Sequence, residues 1–355
     1  LTTILPGRLL AILALCTSYP AVAAIFCVDN AADLASALQA VDSNGEDNEV
    51  YLKVGTYIAS IHDGFFAFPG AGHSLTVEGG YSAFGFTAGQ CVAQTRGTRD
   101  PLRTIIDGAG TNVVVMFTPL SNGNGDISVR SLTLQNGVPL ESYSPVFLGS
   151  SDNGWAGTLT VEDVIIRGNQ NATYDVISMR SDLGKVVVRN VVVSDNSTDG
   201  PDVLFLKSNY TGSGAGIVFN NNTVVRNRAS RTDVDGGAYI FGSADADIGN
   251  NIFWNNDRAG LILDGTGQYA LTHNDIGTLI GTPASNTNPF DVAPGFVGTG
   301  DYRLDAQSPL INVGNNSVSG GHGSYDAQGL ARVVGGTVDV GANEWRDVIF
   351  ADGFD

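Results

Sequence analysis

The chain has 355 residues, a formal net charge of −18, 15% charged and 43% hydrophobic residues, and 46 glycines. That composition excludes a disordered polyelectrolyte, which is rich in charge and poor in apolar residues. No basic stripe is evident, which excludes an unassisted nucleic-acid binder, and the acidity opposes acidic polysaccharides unless cations bridge the two.

The chain begins without Met. Arg8 precedes an apolar run at 9–15, and Ala21, Val22 and Ala23 supply the small residues of a cleavage site. This predicts a secretory signal peptide over residues 1–24, with an apolar run too short to span a bilayer. Cys16 lies inside it. A lipid-anchored reading of Cys16 competes, but Leu15 is larger than the residue usual before a lipidated cysteine. Cleavage removes only Arg8 among the charged residues, leaving 17 Lys and Arg against 36 Asp and Glu, a net charge of −19. It also leaves two cysteines, Cys27 and Cys91. An even remainder in an exported chain points to a disulfide, with two free thiols as the alternative. No later stretch has the ~18 apolar residues that a membrane span requires.

Residues 30–41, NAADLASALQAV, predict a helix. Asn30 is suited to cap it, Asp33 lies in its first turn, and Leu34, Leu38 and Val41 share a face. Strands are predicted over 49–57 and 73–81, and DPLRTIIDG (100–108) follows Cys91. From there the chain repeats. Residues 185–196, KVVVRNVVVSDN, have relatives at 126–137, 157–169, 217–227, 246–256 and 269–277. Placed at Ser131, Asp163, Asn190, Asn222, Asn251 and Asn274, the pivots of these stretches lie 32, 27, 32, 29 and 23 residues apart. A second series keeps step with the first: PVFLGS, DVISMRS, DVLFLKS, GAYIFGS and GLILDG begin at 145, 175, 202, 237 and 260. Two interleaved series with periods of ~20–50 residues predict stacked coils of short strands, each coil leaning on its neighbours.

The pattern resembles the right-handed parallel β-helix of the pectate-lyase-like superfamily. The resemblance implies an all-β fold, a single three-sheet solenoid, with an N-terminal helix plugging its first end. It implies that Asn190, Asn222, Asn251 and Asn274 form an inward asparagine ladder. From about residue 282 the rhythm changes. DYRLDAQSPLINVG (301–314), DAQGLAR (326–332) and VDVGANE (338–344) resemble the closing segment of bacterial β-helix proteins grouped as choice-of-anchor Q. The implied layout is a helix with its N-terminal cap at 25–110 and a C-terminal cap at 282–346 closing the far end. The tail at 347–355, ending VIFADGFD, resembles a short C-terminal tag of exported Gram-negative proteins.

The enzymes of that superfamily have recognisable sites, and none is legible here. His322 precedes a glycine but has no Arg-x-Lys with it, and no calcium-binding segment or epimerase motif occurs. His62, His73 and His273 lie in loops or turns, and no cluster has zinc spacing. Trp155, Trp254 and Trp345 are candidates for a sugar platform, with packing as the competing reading for Trp254. One positional feature remains. The turns into the second strand carry Asp175, Asp199, Asp202, Asp233, Asp235 and Asp257, with Arg226, Arg228, Arg231 and Arg258 beside them. In register they would stack ~4.8 Å apart along one ridge. Such a ladder is able to hold Ca²⁺, with Asp233 and Asp235 the nominated ligands. The competing reading is a solvated, mutually neutralised turn face.

The resulting expectation is an exported, monomeric β-helix scaffold of a Gram-negative cell surface or medium. Its partner would be a polysaccharide or cell-surface component, met on an exposed sheet or through Asp175, Asp202, Asp233, Asp235, Arg228 and Arg231. No cofactor is required, Ca²⁺ excepted. The rival is a polysaccharide lyase or hydrolase with a Ca²⁺-assisted Asp/Arg site.

Overall fold

The computed structural model describes residues 23–59, 63–120, 122–139, 143–150, 154–230 and 236–347. The signal-peptide reading of 1–24, Cys16 included, and the tail at 348–355 fall on or almost wholly on residues outside that set.

One coil shows how the sequence makes the fold. Val186–Arg189 is a strand whose Val186 and Val188 point inward and are fully buried. Asn190 then takes φ 55°, a left-handed conformation that Asn tolerates better than most residues. That bend resets the alternation, so Val191 and Val193 face the interior on either side of Val192. A second left-handed residue, Asp195 at φ 54°, turns the chain through Ser197–Thr198 and on to the strand Asp202–Ser208. The next coil repeats the path in parallel register, with Val186 opposite Ile217 and Val192 opposite Thr223. The coils therefore stack as a parallel β-helix.

Hydrogen bonding joins the strands on both sides of the first bend into a 17-stranded sheet. The second series forms an eight-stranded sheet, from Phe65–Ala67 to Leu279–Ile280. Gln170–Asn171, Ser197–Thr198 and Arg228–Ala229 make a short third sheet. One continuous apolar core runs from Val28 to Leu271. The expected helix is present as α1 (Ala31–Val41). Asn30 Oδ1 accepts from the Asp33 amide at 3.0 Å, and Leu34, Ala37, Leu38 and Val41 are buried against the first coil. The strand predicted over 49–57 is divided into Asn48–Lys53 and Gly55–Ile58. The one predicted over 73–81 runs on to Thr87 and returns antiparallel as Gln90–Arg96. Cys27 and Cys91 form a disulfide that ties the first strand to this hairpin. Closing a loop of that length contributes roughly 4 kcal/mol in the chain-entropy model.

The asparagine ladder differs from expectation by one residue. The left-handed positions are Ser131, Asp163, Asn190, Asn221, Asn250 and His273. The residue after each points inward. It is Asn at 222, 251 and 274, but Leu132, Val164 and Val191 in the earlier coils. Asn190 therefore belongs to the outward column and not to the ladder. Within the ladder, Asn222 Nδ2 donates to Asn251 Oδ1 at 3.0 Å, and Asn251 Nδ2 donates to Asn274 Oδ1 at 2.8 Å. Each amide also satisfies backbone, as Asn251 does by donating to the Phe219 carbonyl at 2.7 Å. A second ladder, absent from the sequence reading, follows the second bend: Asn169, Asn196, Asn227 and Asn256, joined by amide-to-amide bonds of 3.0 Å.

The C-terminal segment, expected to close the far end, lies along the flank. The outward asparagines hold it: Asn250 Nδ2 donates to the Asn315 carbonyl at 3.0 Å, and Asn190 Nδ2 to the Tyr325 carbonyl at 2.7 Å. Tyr302, Ala327 and Ala342 cover Val192 and Val225, the outward apolar residues of successive coils. At the far end the last coil supplies polar residues instead. Ser285–Thr287 are exposed, and Asn286 stands in the column occupied one coil earlier by the buried Leu271. A polar outer face on the terminal repeat is what a solenoid requires.

Two expectations follow. Asn251→Ala takes from the buried Asn222 backbone amide its acceptor and from the Phe219 carbonyl its side-chain donor; an unsatisfied buried group costs about 1–3 kcal/mol, and denaturant unfolding should show a loss of that order. Asp163 is pushed up to about 7 by burial, with Asn190 opposing. Its folded value lies above its unfolded value, so its stabilising contribution is complete below about pH 4 and is lost as pH rises through about 7. Asp163→Asn should flatten the melting temperature across that window and raise it at the alkaline end.

Candidate functional site

Among the described residues, packing buries or pairs most members of the expected Asp/Arg ridge. Asp175 and Asp202 do share a column, two residues ahead of the paired Ile177 and Leu204. The column continues as Gly236 and Ala259, so the run of carboxylates ends after two. Both aspartates are buried. Asp175 is raised by that burial and pairs with Arg180 at 2.8 Å. Asp199 accepts from the Ser230 hydroxyl at 3.0 Å. Arg228 is exposed and borders a shallow groove with Arg226, Asp195 and Asp257. There Arg226 is already paired with Asp195 at 3.0 Å. Asp233, Asp235 and Arg231, and with them the nominated Ca²⁺ ligands, lie outside the described residues. Among the described residues no three His, Cys, Asp or Glu are placed to hold a metal ion.

The tryptophans are not a platform. Trp155 is fully buried and donates from Nε1 to the Gly125 carbonyl at 2.9 Å. Trp254 and Trp345 pack in an apolar cluster with Leu304, Leu310 and Val340 of the C-terminal segment. The motifs at 326–332 and 338–344 become one ionic knot. Arg332 is fully buried and lies 3.4 Å from Glu344, and its Nη1 donates to the Ala342 carbonyl at 2.8 Å. Asp326 accepts from the Glu344 amide and pairs with Arg346 at 2.7 Å. Asp339 accepts from the amides of Asn312 and Trp345. Burial raises Glu344 to about 8, with Arg332 opposing. These residues fasten the segment to itself. On the face of the 17-stranded sheet, Glu162 sits between Arg130 at 3.4 Å and Arg189 at 3.0 Å, an ion-pair ladder that bridges three coils.

The outer face of the eight-stranded sheet carries a column of aromatic residues. Parallel register puts Phe66, Met116, Phe147, Ser178, Phe205 and Tyr239 in one outward column. Five of the six are partly exposed, and Ser178 is buried. Arg180 fills the gap that Ser178 leaves. Its Nε donates to Ser178 Oγ at 2.5 Å and its Nη2 to Asp175 at 2.8 Å. The guanidinium is thereby laid 4.3 Å over the Phe205 ring and 5.8 Å from Phe147. Phe205 stacks on Tyr239 at 5.4 Å and 24°, and Tyr239 on Phe241 at 6.1 Å and 11°. The Tyr239 hydroxyl donates to Asp264 at 2.5 Å. From Phe147 to Tyr239 the platform spans three strand spacings, ~14 Å along the helix axis. Asp175, expected as a ligand contact, instead orients the arginine. The sequence signal for this face was available: three of the five second-strand segments carry an aromatic residue, Phe147, Phe205 or Tyr239, at the same register position.

Residues 120–276 match the family model described as a right handed beta helix region. The solenoid is a right-handed β-helix. A search of curated proteins found no match.

Arg332→Ala should strand the buried carboxylates of the knot. Removing one member of such a pair costs about 3–5 kcal/mol. Limited proteolysis should then cut within 291–347 faster than in the wild type, while the coils resist.

Proposed function

We propose that this chain is an exported, non-catalytic β-helix scaffold that binds carbohydrate through the outer face of its eight-stranded sheet. The observation that carries the reading is the platform of Phe147, Arg180, Phe205 and Tyr239. A partly exposed apolar surface flanked by hydrogen-bonding groups suits a sugar ring, which has C–H faces and a hydroxyl edge. A guanidinium held flat by Ser178 and Asp175 is preorganised, so little ordering cost remains on binding. Asp175 and Arg180 neutralise each other, and Asp264 is occupied by the Tyr239 hydroxyl. That suits adhesion better than acid–base chemistry, which needs a group free to take and return a proton.

Export is supported by the disulfide between Cys27 and Cys91. No helix among the described residues is long and apolar enough to cross a membrane. In this reading the chain is a monomeric relative of the pectate-lyase-like superfamily, at the surface of a Gram-negative cell or in its medium. Its choice-of-anchor Q-like segment is a lateral strap along the coils.

Affinity electrophoresis and a glycan array test the proposal. The wild type should bind at least one polysaccharide, and Phe205→Ala should weaken that binding about tenfold with the melting temperature nearly unchanged, because the ring stands outside the core. Binding that survives both Phe205→Ala and Tyr239→Ala would place the contact elsewhere.

A further inference from the structure

Where the C-terminal strap crosses the coils it leaves a cleft of about 700 Å³, the size of a small-molecule site. Two outward columns make its coil wall. One presents Ile165 and Val192, the other Arg167 and Ser194. Tyr302, Ala327 and Leu330 line it from the strap, and Leu102 from the segment after the hairpin. Leu102 and Leu330 are each 46% exposed, so apolar surface remains there for a ligand to cover.

Against these apolar side chains stands one guanidinium whose charge the protein does not answer. Arg167 Nε donates to Gln135 Oε1 at 3.0 Å, and Gln135 Nε2 donates to Asp107 at 2.7 Å. The three residues share a column, so parallel register builds this relay and the relay holds the guanidinium in place. It uses one of the five N–H donors of the arginine. Among the described residues Nη1 and Nη2 have no hydrogen-bond partner, and neither is enclosed. No described carboxylate lies within the 4.0 Å of an ion pair. The neighbouring arginines differ: Arg226 is paired with Asp195, Arg303 with Asp301 and Arg346 with Asp326. Of the two acids that line the cleft, Asp301 is therefore taken, and Asp100 accepts from the Leu102 amide at 2.9 Å.

We propose that this cleft is a second binding site, for a monocarboxylate with a compact apolar body. The proposal is independent of the sheet-face reading. A guanidinium fork matches a carboxylate with two parallel hydrogen bonds, and the two free nitrogens of Arg167 supply them. One unanswered positive charge suits one negative charge. The chain's −18 opposes a polyanion. The apolar body lies between Ile165 and Val192 on the coils and Leu330 on the strap.

The test is isothermal titration of the full chain with octanoate, octanamide and acetate. Octanoate should bind saturably at one site. Octanamide lacks the charge and acetate lacks the body, and each should bind at least about tenfold more weakly. Arg167→Gln should cost octanoate a similar factor, and Arg167→Lys, which keeps the charge without the fork, less. Leu330→Trp narrows the cleft from an exposed position, and should weaken octanoate with the melting temperature unchanged; it decides the matter if the Arg167 variants fold poorly. Octanamide binding as tightly as octanoate, octanoate binding untouched by Arg167→Gln or by Leu330→Trp, or no heat from octanoate at millimolar concentration would each overturn the proposal. Glycan-array results bear on the sheet face alone, so the two sites stand or fall separately.

Discussion

A bend inside a stacked solenoid strands backbone amides and carbonyls away from water, and the fold depends on side chains that satisfy them. The two asparagine ladders do this from coil to coil, each amide bonding backbone above or below and its neighbour's amide as well. Leaving such groups unpaired would cost more than a typical hydrogen bond gains. Because every ladder residue must face its counterpart one coil away, the ladders also fix register. Register then sets everything else: which valines meet in the core, which outward residues line up, and which surface becomes a column of rings.

The left-handed residue at each first bend has a separate task. Asn190, Asn221 and Asn250 project outward and donate to carbonyls of the C-terminal segment. That segment in turn shields Val192 and Val225, which the coils leave apolar on the outside. The buried knot of Asp326, Arg332, Asp339 and Glu344 gives it a fixed shape for that contact. The flank is thus divided between a covered side, where the strap lies, and the open eight-stranded sheet.

Much of the fold was legible because its signals are local and periodic. The capping helix, the two strand series, their steps and the pairing of Cys27 with Cys91 all follow from residues near one another or from simple counting. The ladder was misplaced by one residue at Asn190 because three consecutive asparagines at 220–222 make two alignments equally good, and side-chain direction alone separates them. The strap could not be read at all, since its contacts join residues 135 apart, as Asn190 and Tyr325 are. The surroundings of the candidate site were hidden for a related reason. Charge in the turns drew attention to Asp175 and Asp202, but burial of those carboxylates and the orientation of Arg180 emerge only when coils are stacked. The aromatic column is visible in PVFLGS, DVLFLKS and GAYIFGS once they are superposed by register.

The central claim is that the open sheet face is where this β-helix meets its partner. A crystal structure of the chain with cellohexaose tests it most directly. Density for sugar rings over Phe147, Arg180, Phe205 and Tyr239, running along the helix axis, is the expected result. Sugar bound instead in the cleft beside Tyr302 and Arg167 under the strap, or along the groove at Arg226 and Arg228, would contradict it.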